Sequence, residues 1–144
     1  MKKLIIVVFA LLAITSSKAQ LVIGELRDGN AILTSDKGRL INAYTTNLLR
    51  ASQIEARFTD VKITIINSSY YLIFSGERIK SAFLVAINAN NILRVADVGI
   101  SCTTSDCASE MYGCIPEAGG VLACEPCANK GKCTKTVSSS SLLE

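Results

Sequence analysis

The residues of this chain best placed to do chemistry are six cysteines, all in its last third. They are Cys102, Cys107, Cys114, Cys124, Cys127 and Cys133, spaced C-x4-C-x6-C-x9-C-x2-C-x5-C. Sulfur at such spacing has three uses. It pairs into structural disulfides, chelates a metal as thiolate, or exchanges disulfides as a reactive dithiol. The stretch that sharpens the choice is LACEPCANKGKC, residues 122–133, in which Cys124-Glu125-Pro126-Cys127 has the form C-x-P-C.

Other chemistry is narrowed by absences. The chain has no histidine. That excludes a Ser-His-Asp or Cys-His catalytic pair, histidine-ligated zinc and c-type haem attachment. It has no tryptophan, and its tyrosines are Tyr44, Tyr70, Tyr71 and Tyr112, so an aromatic carbohydrate platform is not expected. Gly113 and Gly119-Gly120 lack the strand, helix and Lys of a phosphate loop. Asp106, Glu110, Glu117 and Glu125 are scattered without calcium-loop spacing and read as a solvated surface.

Each use of the cysteines has its own requirements. Disulfides suit an even number of cysteines in a segment too short and polar to bury a core. Three bridges are therefore expected from the six, with fifteen connectivities open. A four-thiolate zinc site would take Cys102, Cys107, Cys124 and Cys127. The spacing is loosely similar to the fungal six-cysteine binuclear zinc cluster, but the first gap is four residues where that cluster has two, and its basic recognition segment is missing. Cys124-Glu125-Pro126-Cys127 also resembles the active-site motif of thioredoxin-like proteins. That motif requires its first cysteine at a helix N-terminus, where the dipole lowers the thiol pKa. Here Ala-Asn-Lys-Gly-Lys-Cys follows, a poor helix, and the only other proline, Pro116, precedes the motif. Lys130 and Lys132 would depress a thiol pKa in that case. All six cysteines are thus expected in disulfides, with Cys124 and Cys127 as the alternative redox pair. No metal, cofactor or catalytic residue is expected.

The compartment follows from the start of the chain. MKKLIIVVFALLAITSSKAQ has basic Lys2 and Lys3, an apolar run of 11 residues from Leu4 to Ile14, and small residues at Ser17 and Ala19. This reads as a secretory signal peptide, residues 1–19, too short to span a membrane. It resembles bacterial leaders, with Gln after the cut as in Bacteroidota. Secretion or export to the periplasm is expected, with no membrane span after leader removal. The full chain is +3, but Lys2, Lys3 and Lys18 supply that excess, so residues 20–144 carry 12 basic and 12 acidic side chains. No basic stripe remains for nucleic acid.

The elements that must position the cysteines lie before them. Leu21-Val22-Ile23 suggests a first strand, and Arg27-Asp28-Gly29-Asn30 a turn. Residues 36–58 read as an amphipathic helix, with Leu40, Ile41, Tyr44, Leu48, Ala51, Ile54 and Phe58 in one arc and Ser35 or Asp36 as cap. Four strands follow, Val61–Ile66, Tyr70–Ser75, Ala82–Ile87 and Ile92–Val95, separated by turn residues. The order strand, helix, four strands resembles cystatin-like and related α+β folds, although the inhibitor motif Q-x-V-x-G does not occur. The expected fold is α+β: one amphipathic helix on an antiparallel four-strand meander, then a disulfide-rich, loop-dominated C-terminal segment. The expected boundaries are 20–100 for the α+β domain, 101–137 for the cysteine-rich segment and 138–144 for a disordered tail. Asn67-Ser68-Ser69 matches N-x-S and reads as an ordinary turn.

The function expected of such a chain is a non-enzymatic binding or structural role outside the cytoplasm. Another protein or a cell-envelope component is the expected partner. A small thiol–disulfide exchange protein using Cys124 and Cys127 is the alternative.

Overall fold

The structure is a computed structural model that describes residues 21–95, 99–119, 122–138 and 142–143. The expected leader, residues 1–19, lies outside the described residues. The element order is β1 (Val22–Arg27), β2 (Asn30–Leu33), α1 (Lys37–Ser52), β3 (Asp60–Ile66), β4 (Ser69–Ser75), β5 (Lys80–Ile87), β6 (Ile92–Val95), β7 (Gly99–Thr104) and β8 (Thr134–Ser138).

All eight strands join one antiparallel sheet, in the order β2-β1-β6-β5-β4-β3, with β7 on β5 and β8 on β7. The sheet curls nearly into a barrel, and β2 returns to touch β3. The free edge of β5 is divided. Its C-terminal half pairs with β6 (Val85↔Val95 to Ile87↔Leu93) and its N-terminal half with β7 (Lys80↔Thr104 to Phe83↔Ser101). β1 then flanks β6 and β8 flanks β7.

The four-strand meander is therefore corrected to a larger sheet, although β3 to β6 lie close to their expected ranges. β2 was legible only as the exit of a turn. Asp28 and Gly29 both take positive φ, 49° and 79°, and Arg27↔Asn30 closes a two-residue hairpin of the primed type that matches strand twist. β7 and β8, GISCTT and TKTVS, carry few large apolar residues. Their polar side chains nonetheless face inward: Ser101, Thr103 and Thr136 are buried. Tyr44 explains why. Its hydroxyl hydrogen-bonds Ser81 and lies 3.2 Å from Thr103 Oγ1, and Ser81 and Thr103 hydroxyls are 2.7 Å apart. The Tyr44 hydroxyl thus joins Ser81 of β5 and Thr103 of β7 in one buried hydroxyl cluster, made of residues that a hydrophobicity pattern counts as loop, whereas the buried Ser101 and Thr136 hydroxyls make no hydrogen bond of normal geometry among the described residues.

The helix is shorter than expected. Asp36 caps it, accepting from Arg39 N at 2.6 Å, and Gln53 ends it in the left-handed region with its N–H on Leu49 O. Beyond it Ile54, Ala56 and Phe58 alternate inward with exposed Glu55 and Arg57. That period of two belongs to extended chain, yet Ile54 and Phe58, four residues apart, also fall in the helical arc. α1 lays Leu40, Tyr44 and Leu48 onto the inner face of the sheet with Phe58, Leu72, Phe74, Phe83, Val85 and Leu93. Tyr44 stacks on Phe58 at 5.3 Å and meets Phe74 and Phe83 at 4.6 and 4.7 Å. Leu49 is exposed, as its place on the polar face predicts.

β7 runs across residue 100 within the sheet, and Leu142 and Leu143 of the expected disordered tail are buried in the main core. Residues 139–141 and 144 lie outside the described residues. Among the described residues no helix is long and apolar enough to cross a membrane.

Candidate functional site

The cysteine segment lies on the outer face of the sheet. Side chains alternate across a strand, so β4 sends Leu72 and Phe74 inward and Tyr71 and Ile73 outward. Outward Tyr71, Ile73 and Ala82 are covered by Ile115 and Tyr112 of the segment. The sheet is thus apolar on both faces because both are covered.

Two disulfides fix this cover. Cys102 of β7 bonds Cys124, and Cys107 bonds Cys127. The Cα separations are 5.7 and 6.3 Å, inside the range a bridge requires. The loops span 22 and 20 residues, and loops of that size are worth about 3 kcal/mol each. They interleave, first cysteine to fourth and second to fifth. Cys124 and Cys127, adjacent in the C-x-P-C motif, thus belong to different bridges.

Cys114 and Cys133 are unbridged, the first buried and the second half-buried. Their sulfurs and that of Cys127 all lie within 4.8 Å of one another, and Cys133 Sγ is 3.7 Å from Cys127 Sγ. Burial, and next the neighbouring Cys133 thiol, push the Cys114 thiol well above its ordinary range. This is the reverse of an activated nucleophile. A metal would find poor ligands here, because one sulfur of the three is already spent in a disulfide.

Hydrogen bonds complete the arrangement. Ile115–Glu117 and Ala123–Glu125 form a short antiparallel ladder, with Glu117 N on Ala123 O at 2.9 Å and Glu125 N on Ile115 O at 2.8 Å. Lys80 of β5 donates to the carbonyl of Glu110. Glu110 accepts from the N–H groups of Ala128 and Asn129 at 3.2 and 3.0 Å, and Asp106 from Lys132 N at 2.9 Å. These two acids stay at the surface, Asp106 exposed and Glu110 half-buried, and they also fasten loop 128–132 down. The sequence carried one signal for them, that Asp106 and Glu110 flank Cys107 at a turn. Gly131 is required by space, since a Cβ there would sit 2.7 Å from Cys107 Sγ and from Asp106 Cβ.

A groove of about 200 Å³ opens beside this loop, lined by Ile54, Ile79, Thr104, Asp106 and Lys132 among others. It is smaller than small-molecule pockets usually are. Comparison of the chain with protein-family models, with curated proteins and with solved structures finds no match.

Proposed function

We propose that the protein is an exported, non-enzymatic binding or structural protein of the bacterial envelope or exterior, stabilised by three disulfides. One observation carries this reading. The cysteines tie a loop-bearing segment onto the sheet, and the C-x-P-C cysteines are divided between two bridges instead of forming one accessible dithiol. A redox catalyst needs a low-pKa thiol open to its substrate. Here Cys127 is 4% exposed and Cys107 is fully buried, and the half-buried Cys124 is bonded to the fully buried Cys102. The role left to such a segment is to hold a shape toward a partner protein or an envelope component. Its rigidity lowers the ordering cost of binding.

The test combines location with redox assay. Protein recovered from the periplasmic or external fraction of its host should begin at Gln20. It should show no catalysis in an insulin-reduction assay. Retention of residues 1–19 in a cytoplasmic fraction would overturn export. Turnover that disappears in Cys124→Ser would overturn the non-enzymatic reading.

A further inference from the structure

We propose that Cys114 and Cys133 form a third bridge, closed through Cys133. It would complete an interleaved set in which the first cysteine pairs with the fourth, the second with the fifth and the third with the sixth. The inference rests on the disulfide reading above and adds the partners, the order of attack and the result.

Three observations carry it. Once Cys102–Cys124 and Cys107–Cys127 are made, Cys114 and Cys133 are the pair that remains. Their sulfurs lie within 4.8 Å. They also sit in one packed sulfur-rich cluster with Ile100, Cys102, Cys107 and Cys127, so the two thiols are already neighbours.

Exposure sets the order. Cys114 is 1% exposed and cannot meet an external oxidant, whereas Cys133 is half-buried and can. The oxidant is a disulfide, small-molecule or protein, of the kind an oxidising compartment supplies. The Cys133 thiolate attacks one of its sulfurs. A Cys133–oxidant mixed disulfide forms, the oxidant's S–S bond breaks, and the departing thiolate takes up a proton. Cys114 then gives up its proton and attacks Cys133 Sγ, expelling the second oxidant thiolate. Two protein thiols lose two electrons, and the oxidant disulfide leaves as two thiols. The product joins Cys114, between Tyr112 and Ile115 on the outer sheet face, to the residue that precedes β8.

A digest reads the result directly. Protein isolated from an oxidising compartment is alkylated under denaturing, non-reducing conditions, then cut after Lys, Arg and Glu. Glu125 precedes Pro126 and resists cleavage. Fragments 95–110, 111–117, 118–130 and 133–135 then carry Cys102 with Cys107, Cys114, Cys124 with Cys127, and Cys133 respectively. The expected result is fragment 111–117 linked to 133–135, with no alkylation of either. Alkylation of Cys114 and Cys133 alone would overturn the third bridge and leave the other two standing. Linkage of 133–135 to 118–130 would overturn the pairing. Alkylation of all six would sink the disulfide reading itself. In Cys133→Ser, Cys114 should stay an uncapped thiol in the folded protein, whereas in Cys114→Ser Cys133 should carry the external thiol or be alkylatable; capping of Cys114 by the external thiol in Cys133→Ser would overturn the order of attack.

Discussion

Two residues carry more of the architecture than their types suggest. Gly131 lies where chain 128–132 passes directly over the Cys107 sulfur. Gly131→Ala should cost about 1–3 kcal/mol through overpacking, measured by urea denaturation of the oxidised protein. Tyr44 is the second. Burial holds its hydroxyl above the ordinary tyrosine range, opposed by bonds to neighbouring hydroxyls, and burial followed by the Glu125 charge does the same at Tyr71. The folded pKa exceeds the unfolded one, so this stability is complete below the unfolded value near ~10 and is lost as pH rises through the folded one. Tyr44→Phe should cost about 1 kcal/mol at neutral pH and make the alkaline decline shallower, with Tyr71, and Cys114 wherever its thiol is free, contributing to what remains. Stability measured against pH checks both. The sequence marked Tyr44 as core, since helical spacing puts it in the apolar arc. The hydroxyls awaiting it were not legible, because Ser81, Thr103 and Ser101 are distant in sequence.

Among the elements, hairpins were the easiest to read and the long strands came close behind. Val61, Ile63 and Ile65 alternate with polar residues, and the structure places β3 one residue from the expected start. Turn chemistry also shows where the chain is suboptimal. Asn67 and Ser68 connect β3 to β4 with φ of 48° and 65°. Asparagine tolerates that region, whereas serine meets a Cβ clash. Ser68→Gly relieves it at a smaller entropic cost and should raise stability by about 0.5 kcal/mol, visible as a higher thermal midpoint. The helix end was misjudged because Ile54 and Phe58 satisfy two periodicities at once. β7 was missed for a different reason: its inward side chains are hydroxyls.

For the molecule as a whole, a division near residue 100 was expected from composition, since every cysteine lies beyond it. The sheet ignores that division. β7 completes the edge of β5 opposite Lys80–Phe83, β8 follows it, and Leu142 and Leu143 enter the main core. A chain ending at residue 98 would leave Ser81 and Tyr44 without Thr103 and open an unpaired edge. It should fail to fold, which circular dichroism and the dispersion of amide resonances would show. A cooperatively folded 21–98 fragment would instead restore the two-part organisation. Composition recorded where the cross-links lie, but not that the strands carrying them are structural members of the same core.

β8 pairs with β7 and β1 with β6, with Ser138 opposite Gly99 and Val22 opposite Arg94, and β6 and β7 both pair with β5. Leu21 and Leu143 line one small cavity beside Asp36 and Leu40. Residues 21 and 143 therefore lie close together. Splicing residue 143 to residue 21 through a short glycine linker, and opening the ring at Asn67-Ser68, should give a circular permutant that folds with its bridges intact.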